Sequence, residues 1–124
     1  MNRLYKDISV RGSGKSTRLL KKAIAEGCDI ATFNSGAVKT FVDIAISLGL
    51  DPTWDDRHTA HVGKVLVAPI TDFAQNNANA DILARHRPVL IDEIGLSMST
   101  LLGGVRLSGY TESVEELGCK NDGN

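Results

Sequence analysis

Strand-like and helix-like segments alternate along this chain, and this order limits the folds that it can form. Apolar runs predict strands at residues 28–33, 62–68 and 89–91. The first and last runs and residues 65–68 are continuously apolar, as expected for strands that are covered on both faces. Amphipathic stretches at residues 16–26 and 37–48 predict helices. Strands that alternate with helices favour parallel β-α-β units. We therefore expect an α/β fold, a three-layer sandwich with a mainly parallel five-stranded sheet.

Weaker signals complete this pattern. Residues 3–10 alternate apolar and polar side chains, so a first strand is expected there, and a last strand is expected at residues 105–107. Further helices are expected at residues 80–85 and 96–102. The polar, turn-rich residues 51–61 predict a loop.

Length and composition indicate one ordinary globular domain. The chain has 124 residues, and we expect a domain over residues 1–117 followed by a flexible tail at residues 118–124. Cys28 and Cys119 are too few for a disulfide framework or a zinc site, which predicts reduced thiols in the cytoplasm, or in the host cytoplasm for a viral protein. No apolar stretch approaches the roughly 20 residues of a transmembrane helix, so no membrane partner is expected.

Charge is unevenly distributed although the formal net charge is only −1. Residues 1–22 contain seven basic residues against the single acidic residue Asp7. A basic face of this kind suits a polyanion such as DNA. A solvated helix face would produce the same pattern, so charge alone does not indicate a function.

A basic run with two glycines joins the first predicted strand to the first predicted helix. It reads Arg11-Gly12-Ser13-Gly14-Lys15-Ser16-Thr17. Glycines let the backbone curl around a phosphate, and the N-terminus of the following helix favours negative charge. Lys15 would then reach the β- and γ-phosphates, and the Ser16 hydroxyl would bind Mg²⁺. A basic loop that merely starts a helix is the alternative, but the placement after a strand favours the phosphate site.

Two adjacent carboxylates follow the apolar strand at residues 89–91. They belong to Asp92 and Glu93, and two acids at the end of a buried strand are costly unless a cation lies near them. Asp92 would hold Mg²⁺ through water beside Ser16, and Glu93 would act on the attacking water as a base or an orienting acceptor. An exposed acidic turn that leads into a helix is the alternative.

These two segments resemble the Walker A and Walker B motifs of the P-loop NTPases. The resemblance is to the branch in which a glutamate follows the Walker B aspartate and an extra strand lies between the two Walker strands. Lys15, Ser16, Asp92 and Glu93 match its motifs, and the phosphate loop looks like that of phage packaging motors. Ser9 departs from the full pattern, which has a glycine at this position. Either Ser9 adopts a backbone conformation usually given to glycine, or the loop has a different shape, or Gly12 supplies the backbone freedom instead.

The resemblance implies binding and hydrolysis of ATP·Mg²⁺ by a small ATPase. Its catalytic residues would be Glu93 and Lys15, and its Mg²⁺ ligands Ser16 and Asp92. The nucleotide would be held by Gly12, Ser13, Gly14, Lys15, Ser16 and Thr17. The family couples hydrolysis to a polymer or a partner, so DNA or a partner protein and a homo-oligomer are expected. A sensor residue at Ser108 or Thr111 is implied, and an arginine finger at Arg57, Arg85, Arg87 or Arg106.

Two other functions remain open. Thymidine-kinase-like enzymes have a similar phosphate loop and a strand like Ile91-Asp92-Glu93, in which the glutamate takes a proton from the nucleoside. This chain lacks their zinc-binding cysteines, and Gly95 stands where they have an aromatic residue. The other function is that of a nucleotide-binding module that regulates a partner without hydrolysis.

The parallel topology also predicts where ligands would meet. Ligands of such sheets bind beyond the carboxyl ends of the strands. The polar residues expected there are Gly12 to Thr17, Asn34, Ser35, Thr71, Asp72, Asp92, Glu93 and Ser108. His58 and His61, with Asp55 and Asp56, could form a metal cluster, but their spacing favours a solvated loop.

Overall fold

The structure is a computed structural model, and it describes residues 6–8, 14–74, 87–106, 108, 109 and 111. The helices are α1 (Lys15–Glu26), α2 (Ser35–Ser47), α3 (Ile70–Ala74) and α4 (Ile94–Leu101). The strands are β1 (Asp29–Thr32), β2 (Thr53–Trp54), β3 (Ala60–Val62), β4 (Val65–Pro69) and β5 (Val89–Ile91). The helix expected at residues 80–85 and the tail at residues 118–124 lie outside the described residues, as does most of the strand expected at residues 3–10.

The five described strands form one mixed sheet in the order β2-β3-β4-β1-β5. β1 lies parallel to both β4 and β5, with Ile30 opposite Val67 and Leu90. β2, β3 and β4 pair antiparallel. The α/β class is confirmed, but the expectation of a mainly parallel sheet is wrong for the described strands, because half of their pairings are antiparallel.

The antiparallel part arises from a hairpin within the segment expected to be one strand at residues 62–68. Val62 pairs with Val65, so Gly63 and Lys64 form a two-residue turn. Gly63 has a φ of 60°, which a glycine adopts at little cost in a tight hairpin turn. The residues that precede it, expected to be a loop, supply β2 and the start of β3.

The main hydrophobic core lies between one face of the sheet and helices α1 and α2. Alternate strand residues face it, as shown by Ile30 on β1 and Val67 on β4. Phe41 of α2 is fully buried there. The other members are Leu19, Leu20, Ala23, Cys28, Val38, Val42, Ala45, Ala60, Val62 and Val65. This packing attaches α1, which begins at Lys15, to the sheet.

The two long helices agree closely with their sequence prediction. α1 ends at Gly27, whose φ of 73° allows its N–H to bond the carbonyl of Ala23. α2 begins after Asn34, whose side chain accepts a hydrogen bond from the N–H of Ala37. Local periodicity and capping residues are therefore sufficient to place both helices.

The remaining layers are less complete. α3 follows β4 directly and contacts α4. A helical layer on the second face of the sheet is not defined by the described residues, so the three-layer arrangement stays a prediction. Val105 and Arg106, within the strand expected at residues 105–107, are described and belong to no strand. In the described part of the chain, no helix combines the length and apolar character needed to cross a membrane.

Candidate functional site

The candidate site is centred on an ion pair that joins the start of α1 to the end of β5. The ammonium of Lys15 lies 3.0 Å from a carboxylate oxygen of Glu93. These residues are separated by most of the chain, and the sequence assigned them to two different motifs. Their side chains are 23% and 29% exposed, so a ligand from solvent can reach both.

The backbone at Gly14 sets the position of Lys15. Gly14 precedes the first residue of α1 and has a φ of 85°, a conformation that favours glycine. Among the described residues no side chain caps this helix, and its first turn contains no acidic residue. The N-terminus of α1 therefore keeps its partial positive charge beside the ammonium of Lys15, as an anion site requires. Gly12 and Ser13, also assigned to this site, lie outside the described residues.

Glu93 occupies an unusual backbone conformation at the start of α4. Its φ of 53° makes it the one described residue other than glycine with a positive φ. For a residue with a side chain this conformation costs roughly 1–2 kcal/mol. Three hydrogen bonds hold the turn: Asp92 N–H to Ala31 O at 2.9 Å, Ser97 N–H to Glu93 O at 2.8 Å, and Ser97 Oγ to Asp92 O at 2.7 Å. The turn aims the Glu93 side chain at Lys15.

Ser97 has a positional role that sequence analysis missed. Its side chain is fully buried, and its hydroxyl and amide bond the carbonyls of both candidate acids. The sequence feature that could have indicated this role is a serine about one helical turn after an acidic pair. The hydroxyl of Thr100 lies within hydrogen-bond distance of two carbonyls, that of Leu96 in α4 at 3.0 Å and that of Phe33 just after β1 at 3.1 Å.

Asp92 is the buried acid of the site. It is 8% exposed. Its pKa is raised to about 6: burial is the largest cause, the charge of Glu93 acts in the same direction, and Lys15 acts against both. None of the described residues donates a hydrogen bond to the Asp92 carboxylate. A buried carboxylate beside a second one, with a single ammonium nearby, is stabilised by an added cation.

These donors fit Mg²⁺ better than a transition metal. Mg²⁺ is usually held by one or two carboxylates, with waters and substrate phosphates completing its shell. Asp92 would supply the carboxylate, and Ser16, beside Lys15 in the first turn of α1, would supply a hydroxyl. Across the ranges that the structure describes, no three His, Cys, Asp or Glu side chains come together as a metal cage.

A second ion pair brackets the candidate phosphate loop. Arg18 of α1 donates from Nε and Nη2 to the two carboxylate oxygens of Asp7, at 2.6 and 3.1 Å. Asp7 and Arg18 lie on either side of residues 9–13 in the sequence. In the sequence pattern these two residues contribute only to the charge of residues 1–22. The pair holds together the two ends of the segment that would surround a phosphate.

Several polar residues expected at the ligand edge are used by the fold itself. Asn34 caps α2 and Ser35 begins it. The hydroxyl of Thr32 donates to the carbonyl of Asn34 at 2.7 Å. Asp72 on α3 is partly buried, and burial raises its pKa. Of the predicted set, Lys15, Asp92 and Glu93 are the residues that the structure brings together.

The candidate arginine fingers have different surroundings. Arg87 donates from Nε to Asp29 at 2.9 Å, and Asp29 is almost fully buried. This pair lies at the amino end of β1, the opposite edge from Glu93. Arg57 and Arg106 are exposed, and Arg85 lies outside the described residues.

The sensor and metal-cluster candidates also have ordinary environments. Ser108 and Thr111 are exposed. Asp56 accepts hydrogen bonds from the amides of His58 and Thr59, and these bonds lower its pKa. His61 pairs with Asp55 at 2.6 Å. This arrangement organises the turn between β2 and β3.

Comparison with known proteins gives no assignment. No protein-family model matches this chain. No curated protein and no solved structure matches it significantly. A function for the chain is therefore argued from the site's own geometry.

Proposed function

We propose that this protein binds a nucleoside triphosphate with Mg²⁺, ATP in the first instance, and hydrolyses it. The observation that carries the proposal is the 3.0 Å contact between Lys15 and Glu93. It joins a cation in the first turn of α1 to a pair of carboxylates directly after β5. Phosphoryl transfer needs these groups together, because its catalysis consists mainly of positioning and charge stabilisation.

Each residue has a distinct part in this proposal. Lys15 and the N-terminal amides of α1 hold the β- and γ-phosphates, and Thr17 lies near the α-phosphate. Ser16 and Asp92 hold Mg²⁺, which would supply charge neutralisation to the phosphates. Glu93 accepts a hydrogen bond from the attacking water and takes its proton as the water attacks.

The test is phosphate release from ATP·Mg²⁺ by the purified protein. Lys15→Ala should weaken binding of a non-hydrolysable ATP analogue about 10- to 100-fold, because it removes a charge-assisted contact. Glu93→Gln should retain analogue binding and lose about 100-fold or more in turnover. Glu26→Gln is the matched control, since it breaks an exposed ion pair with Lys22 on α1 away from the site. Normal turnover by Glu93→Gln would show that the assigned role is wrong.

Parallel reactions examine what hydrolysis is coupled to. We propose DNA or a partner protein as the coupled partner, and a homo-oligomer as the active form. Phosphate release stimulated by DNA, together with a higher-order species in light scattering, is the expected result. Thymidine is added to one reaction, and transfer of phosphate to it would replace the proposal with a nucleoside kinase. Tight analogue binding without turnover or transfer would replace it with a regulatory nucleotide-binding module.

A further inference from the structure

We infer that Glu93 is the internal ligand of Lys15 in the nucleotide-free protein, and that an incoming phosphate takes its place. The inference rests on the proposed function and adds a mode of regulation to the same site. The Lys15–Glu93 ion pair acts as a latch. While it is closed, Glu93 is held by the ammonium and is not available to a water molecule.

The geometry supports an exchange of partners. The ammonium of Lys15 lies 3.0 Å from the Glu93 carboxylate, the distance expected for a charge-assisted hydrogen bond. About a quarter of each side chain is exposed, so an anion can approach the ammonium without unfolding of the site. Within the described residues, the ion pair with Glu93 is the one polar contact that the Lys15 ammonium makes. A phosphate that binds Lys15 therefore competes with Glu93.

The turn at Glu93 confines this exchange to the side chain. The amide of Asp92 is bonded to β1, and Ser97 bonds the carbonyls of Asp92 and Glu93. The backbone of the acidic pair is thus attached to both the sheet and α4. When Lys15 is taken by phosphate, the Glu93 carboxylate can rotate away while its backbone remains beside Asp92.

The charges of the site favour the exchange only when the ligand brings both anionic oxygens and a cation. Lys15 is one cation beside two carboxylates, Asp92 and Glu93. A polyphosphate that arrives with Mg²⁺ supplies several anionic oxygens for the lysine and a cation for the acids. Binding of the phosphates and release of Glu93 are then coupled, so the residue that orients water becomes free when the substrate is in place.

The first experiment measures the affinity of ADP·Mg²⁺ by calorimetry, because ADP permits binding without turnover. Glu93→Gln should raise the affinity about two- to fivefold, the range that a partly exposed ion pair is worth. Glu26→Gln changes the net charge by the same amount on α1 and should leave the affinity unchanged. Equal ADP affinity in wild type and Glu93→Gln would overturn the latch while leaving the proposed function intact. Absence of ADP binding in every variant would overturn the proposed function and the latch with it.

The second experiment examines the pair without nucleotide. The rate of Lys15 acetylation by a limiting reagent is measured by peptide mass spectrometry, with Lys39, which pairs with Asp43, as an internal reference. Glu93→Gln should raise the Lys15 rate relative to Lys39, and ADP·Mg²⁺ should lower it again. An unchanged Lys15 rate in Glu93→Gln would show that Glu93 does not hold the lysine and would overturn the inference.

Discussion

Replacement of Asp92 by asparagine should stabilise the nucleotide-free protein at neutral pH and have less effect at acidic pH. Burial, together with the charge of Glu93, raises the pKa of Asp92 from 3.8 to about 6. The folded protein therefore retains this proton at pH values where the unfolded chain has lost it. Stability falls as the pH rises through this window, and the penalty is complete above the folded pKa. Asparagine cannot ionise, so the Asp92→Asn protein does not lose this stability as the pH rises.

The magnitude follows from the shift. A change from 3.8 to about 6 corresponds to at most about 3 kcal/mol between the two protonation states. Some solvent reaches the site, since Asp92 is 8% exposed and the neighbouring Glu93 side chain 29%. We therefore halve the penalty to about 1.5 kcal/mol to account for screening. About half of this penalty develops between pH ~5 and pH ~7.5, so the pH-dependent gain in unfolding free energy is roughly 0.7 kcal/mol.

The assay is urea unfolding of wild type and Asp92→Asn at both pH values, without Mg²⁺ or nucleotide. The quantity compared is the difference in unfolding free energy between the two proteins, because titrations common to both cancel. Asp43→Asn, which removes a carboxylate from an exposed ion pair on α2, is the control and should show little pH dependence in this difference. A stability difference for Asp92→Asn that is the same at both pH values would refute the reasoning.

Three further variants examine the framework around the site by urea unfolding. Arg87→Ala should cost about 3 kcal/mol, because it leaves Asp29 buried without its guanidinium, and a cost below about 1 kcal/mol would contradict this. Phe41→Ala should cost about 3–5 kcal/mol through the cavity left between α2 and the sheet; a near-neutral result would mean that the residue is not buried. Ser97→Ala should cost about 1–2 kcal/mol by leaving the carbonyl of Asp92 without its hydroxyl donor, and an unchanged stability would show that this bond does not hold the turn.

The predictable elements are those with a strong local pattern. The helix expected at residues 16–26 is α1, and the strand expected at residues 89–91 is β5. The expectation that this strand is covered on both faces is wrong for the described residues, because Val89 and Ile91 are each 39% exposed. Apolar periodicity and the nearby glycines are contained in a short stretch of chain, so a local interpretation suffices. The hairpin at Gly63 was missed because the apolar run around it was taken as continuous. Its signal, a Gly-X pair between two apolar segments, was present.

The site was predicted only in part. The strand-end rule correctly placed Asp92 and Glu93 at the carboxyl edge of the sheet, and the glycine run placed Lys15 at the start of a helix. Their 3.0 Å contact, the pair of Arg18 with Asp7, and the engagement of Arg87 by Asp29 had no sequence signal. Each joins residues that are distant in the chain, and a sequence contains no direct record of which distant charges meet.

The amino-acid sequence alone determined where α1, α2, β1 and β5 form, because hydrophobic periodicity and capping act within a few residues. It also determined that a cationic helix start and an acidic strand end were available. Only the tertiary structure decided the direction of strand pairing, the burial of Asp92, and the choice of Glu93 as the partner of Lys15. Those features depend on how the packed core brings α1 and β5 together, and that arrangement is a property of the whole fold.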